Sequence, residues 1–74
     1  MLGLFIQIHG QTDSRAIYER LKAYDFNVTD CGETTLIYGQ AANIDTARNV
    51  IAYCLPWGDL TINVSHDKSE GVLL

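Results

Sequence analysis

The chain has 74 residues, a mass of 8.2 kDa, 47% apolar or aromatic residues and 19% charged ones. That is enough for one thin hydrophobic core and too short for two domains or a deep cofactor cavity. Nine Asp and Glu against five Lys and Arg give a formal charge of −4, the wrong sign for a surface that neutralises nucleic-acid phosphates.

The N-terminal run Met1-Leu2-Gly3-Leu4-Phe5-Ile6 is apolar, but no basic leader precedes it and Gln7 and His9 interrupt it, so it reads as a mature strand. Leu4, Ile6 and Ile8 alternate with Phe5, Gln7 and His9, the period of a strand with one strongly apolar face. Gly10-Gln11-Thr12 closes that strand, and Thr12 or Asp13 is placed to cap a helix from about Asp13 to Tyr24. Ile17, Leu21 and Tyr24 recur on one side of this helix. Arg15, Glu19, Arg20 and Lys22 form a mixed charged side, where Arg15 and Glu19 are spaced for an ion pair.

Phe26 and Val28 alternate with Asn27 and Thr29 in a second strand. A turn at Cys31-Gly32-Glu33 joins it to the β-prone run Thr34-Thr35-Leu36-Ile37-Tyr38. Gly39-Gln40-Ala41-Ala42 then leads to a cap at Asn43. Ile44, Ala47, Val50, Ile51, Cys54 and Leu55 make the apolar stripe of a second, more deeply buried helix that Pro56 ends. Trp57-Gly58-Asp59 turns the chain, with Trp57 set to close the bottom of the core. Leu60, Ile62 and Val64 alternate with Thr61, Asn63 and Ser65 in a fourth strand. The segment 67–74 reads as a short flexible tail after a single domain spanning 1–66.

The order strand, helix, strand, strand, helix, strand defines an α+β, ferredoxin-like βαββαβ sandwich, with two helices on one face of a four-stranded antiparallel sheet. An internal echo supports it, since Ile8-His9-Gly10-Gln11 precedes the first helix as Ile37-Tyr38-Gly39-Gln40 precedes the second. Taking Ile37 as the counterpart of Ile8 sends Thr35 and Ile37 under the helices and Leu36 and Tyr38 to the open face. The opposite phase buries Leu36 and Tyr38, because a one-residue slip exchanges the two faces.

In the favoured phase the open face has an apolar centre at Phe5, Leu36 and Tyr38 and a polar surround at Gln7, Thr61 and Asn63. That is the composition of a surface for a protein partner or a second copy of the chain. The expected function is a non-enzymatic interaction module, a homodimer or a regulator or subunit of a larger protein. An alternative is a small acidic inhibitor occupying a basic surface, in the manner of a phage-encoded inhibitor.

Leu4-Phe5-Ile6-Gln7-Ile8 resembles the shorter signature of the RNA-recognition motif, whose open face also carries aromatics on its central strands. Thr34-Thr35-Leu36-Ile37-Tyr38-Gly39 departs from the longer signature, having one aromatic and no basic residue, so RNA is not the expected partner. The element order is also similar to that of ACT-type regulatory domains. This implies a small ligand near the first strand–helix loop, although Gly10-Gln11-Thr12-Asp13-Ser14 departs from their Asp-x-x-Gly pattern.

His9, Asp30, Cys31, Glu33 and Asp59 fall at one end of the sheet, and His66 at the other. His9 and Cys31 are the candidates for metal binding or thiol chemistry, but no ligand-spaced pair accompanies them, and a solvated rim with no metal and no cofactor is expected. Cys54 belongs to a core stripe and reads as an inert small hydrophobe. Two distant cysteines without a paired framework, and no apolar run of membrane-spanning length, lead to the expectation of a soluble cytoplasmic protein with free thiols.

Overall fold

The structure is a computed structural model and describes residues 1–66; the expected tail lies outside the described residues. The strands are β1 (Leu2–His9), β2 (Asn27–Asp30), β3 (Thr34–Ala41) and β4 (Asp59–His66), and the helices are α1 (Ser14–Leu21) and α2 (Ile44–Cys54). All neighbouring strands are antiparallel, in the order β2-β3-β1-β4, which is the ferredoxin-like arrangement.

Capping residues start both helices where the sequence places them. Asp13 accepts a hydrogen bond from the Ala16 amide at 3.1 Å, and Asn43 accepts from the Thr46 amide at 2.9 Å and from the Thr46 hydroxyl at 3.2 Å. Within the span expected for the first helix, the last turn, Lys22–Tyr24, tightens to a 3-10 helix, and Asp25 leaves it in the left-handed region at φ 61°. Tyr24 is thereby turned off the buried stripe and is exposed, while Ile17 and Leu21 are fully buried. Glu19 pairs with Lys22 at 2.7 Å rather than with Arg15.

The last α-helical hydrogen bond of the second helix runs from the Leu55 amide to the Ile51 carbonyl. Pro56, which has no N–H to continue the ladder, sits in the middle of a closing 3-10 turn, Leu55–Trp57. Only Ala47, Val50 and Cys54 of the expected stripe are fully buried in α2; Ile51 is half-buried, and Ile44 and Leu55 are exposed at its two ends. Trp57 is half-buried against the core, edge-on to Tyr53 with ring centroids 6.4 Å apart.

The core lies between sheet and helices and is built from Leu4, Ile6, Ile8, Ile17, Leu21, Phe26, Ile37, Ala41, Ala47, Val50 and Cys54. Thr35 is the buried polar residue among them, and its hydroxyl is satisfied by that of Thr12 at 2.6 Å. Thr35, Ile37 and Ala41 on β3 all face the helices, so the phase indicated by the echo is the observed one.

The echo parts from the fold at its glycines. Gly10 leaves β1 in a turn at φ 106°, whereas Gly39 stays inside β3, which continues to Ala41. A Cβ on Gly39 would stand 3.0 Å from the Phe26 ring, so the missing side chain is what leaves room for Phe26. Gly58, before β4, has φ 154°, and a Cβ there would meet the His9 carbonyl oxygen at 2.8 Å.

The fourth strand also departs from expectation. Ile62 and Val64 stand opposite the buried Ile6 and Leu4 and so point to the helix side, yet they are 38% and 52% exposed. The physical reason is the placement of the helices, with α1 mainly against β2 and α2 mainly against β1 and β3, so that Leu60 at the start of β4 packs on the core while Ile62 and Val64 stay open.

Candidate interaction surface

The two central strands carry the middle of the open face. Pairing of β1 with β3 sets Phe5 opposite Tyr38, Gln7 opposite Leu36 and His9 opposite Thr34. The Phe5 and Tyr38 rings stack with centroids 6.4 Å apart and planes at 25°, and the two residues are 38% and 40% exposed. Leu36 is half-buried beside them.

The flanking strands supply polar groups at the same level. Asn63 is opposite Phe5 and Thr61 opposite Gln7 on β4, while Asn27 is opposite Tyr38 and Thr29 opposite Leu36 on β2. The Tyr38 hydroxyl lies 3.5 Å from that of Thr29, so the ring extends over β2. His9 Nε2 lies 2.7 Å from the Thr61 hydroxyl, which ties the histidine across the face to β4. The six residues singled out for this surface, Phe5, Gln7, Leu36, Tyr38, Thr61 and Asn63, thus fall on one contiguous face.

The rim that contains His9 and Cys31 has a different character. Asp30 is occupied within the fold, accepting from the Gly32 amide at 2.9 Å and from the Ser14 hydroxyl at 3.3 Å. Among the described residues no three His, Cys, Asp or Glu side chains converge on a metal position. Both cysteines are free, Cys31 exposed and Cys54 buried. Burial pushes the Cys54 thiol up to about 11, which keeps it protonated and unreactive at neutral pH.

The loop between β1 and α1 is tied to the β3 end of the fold at two points. The Gly10 amide donates to the Glu33 carbonyl at 2.7 Å, and Thr12 bonds Thr35. A shallow cleft of about 480 Å³ lies elsewhere, between the helices, lined by Arg20, Leu21, Tyr24, Asn49, Ala52 and Tyr53. The Arg20 guanidinium stands over the Tyr53 ring at 5.6 Å and already occupies one wall of it.

No helix among the described residues is long and apolar enough to cross a membrane. No family model matches the chain, no curated protein matches its sequence, and no solved structure matches it.

Proposed function

We propose that this domain is a non-enzymatic interaction module that docks a protein, either a second copy or a larger partner, against its open sheet face. The observation that carries the reading is the stacked, part-exposed Phe5–Tyr38 pair on the two central strands. Rigid aromatics at the centre of a flat surface are the residues that most often dominate association energy, because they bury much area and lose few rotamers. Leu36 extends the apolar centre, and Gln7, Thr61 and Asn63 provide hydrogen-bonding groups around it.

The size of the domain favours the same reading. A four-stranded sheet roofed on one side only, in a chain of 74 residues, has little core, and covering its second side adds stability by mass action. The proposal includes a regulator or subunit role in the cytoplasm, and a basic partner surface would suit the charge of −4.

Sedimentation velocity on the wild-type chain and on Tyr38→Asp, each alone and with a candidate partner, tests the reading. A complex that Tyr38→Asp abolishes without unfolding the domain supports it. A wild-type chain that remains a monomer to millimolar concentration, with no partner recovered, contradicts it.

A further inference from the structure

The edges of the sheet are unequal. One edge, β2, has four residues and ends in the charged Asp30, whereas the other, β4, has eight and carries no ionisable side chain from Leu60 to Ser65. Edge strands offer unpaired N–H and C=O groups to other chains, and proteins ordinarily blunt them with charge, proline or brevity. From Leu60 to Ser65 the β4 edge has none of these devices, and its Ile62 and Val64 are exposed on the helix side as well.

We infer that β4 is a self-pairing edge, which joins two copies of the chain antiparallel about a twofold axis at Ile62 and extends the sheet from four strands to eight. The strand's own pattern selects a second copy as the occupant. Residues directly opposite in an antiparallel pair share a face, so a twofold axis normal to the sheet must pass midway between a residue and its own mate.

Centred on Ile62, the pairing sets Ile62 against its mate, Leu60 against Val64 and Thr61 against Asn63, apolar with apolar and polar with polar. The one acidic residue of the strand, Asp59, then meets Ser65 and not another carboxylate. Two molecules that each carry −4 therefore meet along a seam whose two acidic groups, the Asp59 side chains, stand at its opposite ends. Seven paired residues make that seam about 23 Å long. Ile62, Val64 and their mates cover one another on the helix side, where both are exposed in the single chain. On the other side the two open faces become continuous. This pairing does not depend on what the open face binds, and it leaves Phe5 and Tyr38 free in each copy.

Sedimentation equilibrium on the full 74-residue chain tests it, with the variants Ile62→Lys, Ile62→Glu and Val64→Lys. Wild type is expected at twice the chain mass. Ile62→Lys and Val64→Lys should each weaken self-association at least tenfold while keeping the wild-type circular dichroism spectrum, since both sites are solvent-accessible in the monomer. An equimolar mixture of Ile62→Lys and Ile62→Glu should restore the dimer, because only a twofold axis at this residue puts the two new charges face to face. A wild-type monomer at millimolar concentration would overturn the inference. So would a dimer that survives Ile62→Lys and Val64→Lys but is lost in Tyr38→Asp.

Discussion

Phe5 and Tyr38 lie directly opposite each other on the two central strands, 33 positions apart in the chain, with their rings stacked at 6.4 Å and facing away from the helices. Neither ring contributes to the core between sheet and helices, so a substitution there acts on the surface and only weakly on the fold.

Replacing Tyr38 with Asp is therefore expected to cost about 1 kcal/mol, the worth of a cross-strand aromatic pair. In a domain of this size that lowers the melting temperature by roughly 4–8 °C. Association through the open face should be lost altogether. Thermal unfolding beside a binding titration checks both halves.

Neighbouring residues on β3 should respond very differently. Ile37→Ala removes a fully buried side chain and is expected to cost about 2–5 kcal/mol, a large share of the total stability of a small domain. Leu36→Ala, on the open face, should cost about 1 kcal/mol. Urea denaturation of the pair would expose an inverted strand phase if the order were reversed.

Gly39→Ala places a methyl group 3.0 Å from the Phe26 ring and 3.2 Å from its Cα, and Phe26 is buried in the core with little room to yield. The expected cost is about 1–3 kcal/mol from overpacking, although Ala suits a strand better than Gly. Combining it with Phe26→Leu should cost less than the sum of the two single changes, which a double-mutant cycle in urea would measure.

The two thiols should separate cleanly by reactivity and by pH. Cys31 is exposed and is expected to react with a thiol reagent in the native state, while Cys54 reacts only on unfolding. The folded-state value of Cys54 is raised from 9.0 to about 11, so its contribution to stability is whole below pH 9 and is lost as pH rises from 9 through 11. The limiting slope is about 1.4 kcal/mol per pH unit. In Cys54→Ala that part of the alkaline decline should be missing when the two stability curves are subtracted.

Much of this architecture is legible in the chain because local signals agree with one another. Asp13 and Asn43 announce the helices, the strands alternate, and the likeness of Ile8-His9 to Ile37-Tyr38 picks the phase of β3, from which the whole open face follows. What the sequence does not carry is the lateral placement of the helices over the sheet. Leu60, Ile62 and Val64 have the alternation of a strand with one buried face. Whether a roof lies above them depends on where α2 comes to rest, a tertiary property with no local signature. Gly39 has the residue type of a turn and serves as a gap for Phe26, thirteen residues earlier, and only the packing reveals that. The choice of Lys22 over Arg15 as the partner of Glu19 is likewise settled by side-chain geometry on an exposed helix.

The most direct measurement is sedimentation velocity in the Ile62→Lys background, where pairing through β4 is removed and the open face stands alone. That chain should form a complex with a protein partner, and adding Tyr38→Asp should abolish the complex while the domain stays folded. A chain that is monomeric to millimolar concentration and recovers no partner, or a complex indifferent to Tyr38→Asp, would contradict association through the open face.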